Sequence, residues 1–135
     1  MHTEHFTREA MKPLLEPYGM TEAVRRGRTL YLSGQTGIAE DHQIVQGGLK
    51  AQALQAFRNI KAVVELAGGE AASLVSLTWY LVEGGDGRAF LEDATEVMAA
   101  QNEIFPGVRP ASTAVRVKAL LLPEILVEIQ AVAKL

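Results

Sequence analysis

Glu128 is the carboxylate best placed to do chemistry. It stands alone in the apolar run Leu126-Val127-Glu128-Ile129, whose alternation reads as a strand. At the edge of a cleft such a carboxylate can position water or exchange a proton. On an open strand it would merely pair across a hairpin with Arg116 or Lys118, worth about 0.2–1 kcal/mol. Ser33-Gly34-Gln35 ends another strand and offers a hydroxyl with exposed backbone N–H groups. A serine nucleophile needs a histidine partner, and only His2, His5 and His42 are available. Ser33 therefore reads as a hydrogen-bonding residue, with a turn cap as the plain alternative. His2 and His5 flank Glu4 in a frayed terminus, and His42 follows Asp41 in a loop, so no metal is expected. Gly84-Gly85-Asp86-Gly87 lacks the phosphate-loop pattern and reads as a turn, with Asp86 capping the next helix.

The elements that must position these residues follow from periodicity. Glu22 to Arg25 and Arg28 to Ser33 flank Gly27 as a first hairpin. From Leu49 to Ala67 the apolar residues Ala53, Ala56, Phe57, Ile60, Val63 and Val64 recur at helical spacing. Lys50, Gln52, Gln55, Arg58, Asn59, Lys61 and Glu65 occupy the rest, and Gly68-Gly69 stops the helix. Ser73 to Val82 is a strand with apolar residues on both faces, suited to the centre of a sheet. Phe90, Leu91, Ala94, Val97, Met98 and Ile104 line a second helix. The chain closes on Val115, Val117, Ala119 and Leu121, a proline turn at Leu122-Pro123, then Ile125, Val127 and Ile129, read as a buried hairpin. The expected order is ββαβαββ, an α+β sandwich with two helices on one face of a mixed sheet. Two helices cover one face only, so the apolar remainder of the other predicts a homo-oligomer with sites at subunit clefts.

At 135 residues the chain is expected to form one domain, with residues 1–20 as a partly flexible lead. Cysteine is absent, which excludes disulfides and thiol catalysis. The first residues lack the apolar run of a secretory signal, and no stretch nears a membrane span, so a cytoplasmic location is expected. The net charge of −3, from 13 basic and 16 acidic residues, disfavours nucleic acid as the main ligand. The single basic cluster, Arg25-Arg26-Gly27-Arg28, reads as a solvated turn.

Several ordered stretches resemble the Rid family, also called the YjgF or reactive-intermediate deaminase family. They are Thr29-Leu30-Tyr31-Leu32-Ser33-Gly34-Gln35, the helix from Gln52 to Gly69 with Ala56 and Asn59-Ile60, Arg109-Pro110-Ala111-Ser112-Thr113-Ala114-Val115, and the ending Leu126 to Ala133. The resemblance spans about residues 18 to 134. It implies a chorismate-mutase-like fold, a homotrimer with three inter-subunit clefts, a small-molecule substrate and no cofactor. The best-known members hydrolyse enamines and imines such as 2-aminoacrylate to ketoacids and ammonia.

Residue by residue, the resemblance implies that Glu128 positions water and that Ser33 and Gly34 line the cleft. The aromatic before the first hairpin corresponds to Tyr18 by proximity and to Met20 by spacing. Pro110-Ala111-Ser112-Thr113 carries Ser112 where the deaminase motif carries the arginine that grips a substrate carboxylate; Arg109 matches the first arginine of a longer variant. Loss of such a pair costs about 2–5 kcal/mol. Weak turnover of 2-aminoacrylate is therefore expected, unless Arg109 or Arg116 enters the cleft or the substrate lacks a carboxylate there. Two functions stay open: a deaminase of small imines or enamines, and a non-catalytic trimer binding a small ligand or a partner. A nuclease activity, attached to some relatives, fits poorly with a net-acidic chain.

Overall fold

The apolar repeat centred on Phe57 folds as expected, and it organises the rest. The computed structural model describes residues 2–83 and 87–135, so the Asp86 cap and the turn at Gly84-Gly85 lie outside the described residues. Helix α2, Gly48–Leu66, buries Ala53, Ala56, Phe57, Ile60, Val63 and Val64. It packs beside α3, Phe90–Ile104, where Phe57 meets Phe105 edge to face with ring centroids 6.2 Å apart. Both helices cover one face of a six-stranded sheet. Its strands are β1 (Thr3–Phe6), β2 (Ala23–Arg26), β3 (Thr29–Leu32), β4 (Leu74–Val82), β5 (Ala111–Val117) and β6 (Val127–Lys134). The spatial order is β1-β2-β3-β6-β4-β5, with β4 and β5 parallel and every other pair antiparallel. Under the helices lie Leu30, Leu32, Leu77, Trp79, Leu81, Val127, Ile129, Ala131 and Ala133. No helix among the described residues is long and apolar enough to cross a membrane.

The expected order lacks two elements. Residues Thr3–Phe6, expected to fray, pair antiparallel with β2, and a one-turn helix α1, Lys12–Leu15, follows. What secures this lead is a buried ion pair. Arg8 donates from Nε to Glu22 Oε2 at 2.9 Å and from Nη2 to Glu22 Oε1 at 2.7 Å. Its third nitrogen reaches Asn59 Oδ1 on α2 at 3.2 Å. Glu22, expected near the solvated arginine turn, is only 1% exposed. No local pattern announces a partner fourteen residues away.

The closing hairpin is also corrected. β5 and β6 are not neighbours, because β4 lies between them. Helix α3 returns the chain so that β5 runs parallel to β4 on its outer edge. Residues 118–126 then cross the end of β4 to bring β6 in beside β3. Glu128 faces Tyr80 on β4, which rules out the expected pairing with Arg116 or Lys118.

The face assignment in β5 reverses too. Ser112, Ala114 and Arg116 stand level with Leu77, Trp79 and Leu81 on the helix side, so Val115 and Val117 turn to the open face. Leu121, expected in the core, is 90% exposed. Arg116 is inside because its charge is met there. Asp93 Oδ2 lies 2.7 Å from its Nη1, Val82 O accepts from the same nitrogen at 3.1 Å, and the Phe90 ring lies 5.0 Å away. A register shift between Leu74 and Ser76 similarly turns Val75 out of line with Leu77 and Trp79.

Replacing Glu22 by Ala strands the Arg8 charge in a buried setting. We expect a loss of about 3–5 kcal/mol of folding free energy, read by denaturant unfolding. A loss near that of an ordinary surface substitution would contradict this account of the N-terminal lead.

Candidate functional site

β3 leaves the sheet at Ser33, and the chain rejoins β6 at a single bridge. Gln35 N–H donates to Ile129 O at 2.8 Å, and Ile129 N–H donates to Gln35 O at 2.9 Å. Between these contacts Gly34 lies directly under the side chain of Glu128. A Cβ on Gly34 would sit 2.6 Å from Glu128 Oε2 and 2.7 Å from its Cδ. A side chain at this point would have to push the carboxyl aside. The ending of one strand and the lone acid of another thus form a single site.

Glu128 is half-buried on the face the helices leave open. Across the sheet it faces Tyr80, with Val115 beyond on β5. Burial pushes its carboxyl above the ordinary glutamate value. Among the described residues no hydrogen bond or ion pair holds the carboxylate, so nothing opposes that shift. A carboxyl held this way binds a proton more readily than a solvated one and is suited to take a proton and return it.

Ser33 is exposed beside it, and its own proton is committed. The hydroxyl donates to Thr21 O at 2.7 Å, while Ser33 N–H donates to Glu22 O at 2.8 Å. Its lone pairs remain free to accept a hydrogen bond from a ligand. Because Glu22 is fixed by Arg8, the buried ion pair also anchors Ser33.

Met20 adjoins Thr21 and lines a surface groove of about 700 Å³ with His5, Phe6, Lys12 and Val24. Tyr18 closes the short turn before it, is 79% exposed, and does not line that groove. Ser112 and Arg109 lie elsewhere. Ser112 is exposed on the edge strand, on the helix side of the sheet, and its hydroxyl donates to Pro110 O at 3.2 Å. Arg109, in the segment before β5, is exposed. Glu128 occupies the opposite face, two strands away and three positions along, roughly 10 Å in each direction. One chain does not bring Ser112 to Glu128. Arg116 is held by Asp93 and Val82, which withdraws it as a stand-in for the missing arginine.

The sequence reading missed the two amides beside this site. Gln52 and Asn59, left outside the apolar face of α2, are buried and bonded to backbone. Their positions four and three residues from Ala56 were the available signal, since both fall on the apolar face.

Burial of Glu128 has a definite consequence for stability. Below the ordinary carboxylate range both folded and unfolded chains are protonated there, and no penalty exists. As pH rises through the unfolded and then the raised folded value, the buried charge costs stability, in full above the folded value. Glu128→Gln is therefore expected to raise Tm at neutral pH, with the gain vanishing in acid. A variant less stable than the parent at neutral pH would contradict the assignment.

The Endoribonuclease L-PSP family profile matches residues 10–135. A RutC family protein of Pyrococcus abyssi is 33% identical over 129 residues, covering 95% of this chain and 93% of that protein. A 2-iminobutanoate/2-iminopropanoate deaminase of Dermatophagoides farinae is 35% identical over 105 residues, 77% of this chain and 75% of its own. The crystal structure of YyfA from Yersinia pestis, a Rid-family protein of unknown function, matches with a TM-score of 0.83 at 26% identity. That match covers 99% of this chain and 100% of the other.

Proposed function

The chain belongs to the Rid family, the YjgF or Endoribonuclease L-PSP family, and from that premise we propose a homotrimeric hydrolase that releases ammonia from small imines or enamines. The observation that carries the reading is the Glu128 carboxyl lying against Gly34, the residue that follows Ser33. Water attacks the carbon of the protonated imine as the Glu128 carboxylate takes one of its protons, giving a neutral carbinolamine. Glu128 then returns that proton to the amine nitrogen, the C–N bond breaks with its electron pair leaving on ammonia, and the carbinolamine hydroxyl gives its proton to Glu128 as the ketone forms. Ser33 accepts a hydrogen bond from the substrate nitrogen. No cofactor takes part in these steps.

Assembly is supported by the uncovered sheet face, where Tyr31, Tyr80, Val82, Val115, Val117 and Val132 stand without a covering layer. Closing that face between copies would put Glu128, which stands on it, at a boundary between chains, and a site shared with Ser112 of a neighbouring chain would answer their separation within one chain. Ser112 supports substrates without a carboxylate at that point. A hydroxyl already bonded to Pro110 O supplies neither charge nor reach. The same serine favours a second reading, a trimer that binds a small ligand without turning it over. Nuclease action is not supported: the chain carries a net charge of −3.

Ammonia release from enzymatically generated iminoacids, and from imines of simple ketones, tests the proposal. Glu128→Gln should abolish turnover of both, a loss of about 10²-fold or more. Ser112→Arg should raise turnover of carboxylate-bearing imines alone. Ammonia release by the parent that persists in Glu128→Gln would overturn the catalytic reading, and ligand-induced stabilisation without turnover would favour the second.

A further inference from the structure

We propose that Gln52 and Asn59 of α2 are positioning residues for the Glu128 site, buried amides that hold the strand bearing Glu128 and the loop following Gly34 in fixed relation. The inference rests on the catalytic reading for its activity readout, but its geometry stands alone. Gln52 is 4% exposed and Asn59 is 3% exposed. Burying an amide without partners costs about 1–3 kcal/mol, so their presence in an apolar helix face requires bonds.

Those bonds converge on the site from two sides. Gln52 Nε2 donates to Glu124 O at 2.9 Å, and its Oε1 accepts from Leu126 N–H at 2.9 Å. The Leu126 carbonyl accepts from Val82 N–H at 3.0 Å, so the same residue is tied to β4. Glu128 follows two positions later. Asn59 Nδ2 donates to Thr36 O at 3.0 Å and to Ile38 O at 2.9 Å, holding the loop that leaves Gly34 and Gln35. Its Oδ1 accepts from Gln55 Nε2 at 2.9 Å and from Arg8 Nη1, leaving neither amide end unused. Gln52 also touches this loop, because a Cβ on Gly37 would meet Gln52 Cβ at 2.8 Å.

The apolar alternation of β6 already decides which face Glu128 takes, since Val127, Ile129, Ala131 and Ala133 are all buried. It does not decide where along the strand the carboxyl comes to rest relative to Gly34. A leucine at position 52 would fill much the same volume, yet it would free Glu124 O and Leu126 N–H. Hydrogen bonds from a rigid helix supply the finer placement, and an ångström of misplacement at a reacting group commonly costs about 10²-fold in rate.

The experiment titrates the Glu128 carboxyl by ¹³C NMR in the parent, Gln52→Leu, Gln52→Glu and Val97→Ala, and measures kcat and KM in each. Tyr80 is the titratable side chain facing Glu128 across the sheet; Val115 lies beyond it. Val97 is buried on α3 and carries no hydrogen-bonding group, so its variant reports destabilisation with the amide bonds left in place. Freed from its clamp, Glu128 should gain water in Gln52→Leu and titrate at lower pH than in the parent, with kcat down about tenfold or more and KM little changed. Gln52→Glu, which keeps the acceptor for Leu126 N–H, should fall between, and it carries the test if the leucine variant does not fold. Val97→Ala should leave the titration in place. Gln52 variants that lose stability while Glu128 titrates as in the parent would overturn the proposal. The titration reads Glu128 whether or not any imine is turned over, so an inactive parent would count against the catalytic reading alone.

Discussion

The approach of Glu128 to Gly34 is the contact on which the site turns. It exists because β6 is threaded between β3 and β4, and because the chain leaving β3 sets Gly34, a residue without a side chain, against the carboxyl. A single added methyl at Gly34 would occupy the space of the carboxyl. The same approach that removes water from one side of the carboxylate raises its proton affinity. Packing and proton chemistry are here one fact.

Around that contact the polar groups of the interior form one connected set. Arg8 binds Glu22 and Asn59, Glu22 carbonyl holds Ser33, and Asn59 holds the loop after Gly34. An apolar core could have been built without them, at comparable stability. What the buried polar groups contribute is the placement of two backbone segments that have no regular ladder of their own. The N-terminal strand belongs to this set, which is why it is ordered despite its unremarkable composition.

Much of this was legible in the residue order, and the failures share one cause. The α2 periodicity, the glycine stop and the central strand are local patterns, and each appears where the spacing puts it. Glu128, Ser33 and Gly34 were singled out by type and strand position. Their contact was not, because register between distant strands is absent from either strand alone. The closing hairpin misled for the same reason: two apolar strands around a proline read as neighbours, while a parallel crossover through α3 leaves β4 between them. Arg116 reads as a partner for Glu128 or a cleft arginine until Asp93 is seen opposite it. Gln52 and Asn59 read as outside the apolar face because polarity outweighed helical position.

In the homotrimer proposed for this chain, each cleft draws on two chains. Mixing two defective chains tests this most directly. Glu128→Gln and Ser112→Trp, each alone, should be inactive in ammonia release. Refolded together, they should regain activity, because each mixed trimer contains a cleft with Glu128 from one chain and Ser112 from its neighbour, both intact. A mixture as inactive as its parts would contradict a site shared between subunits.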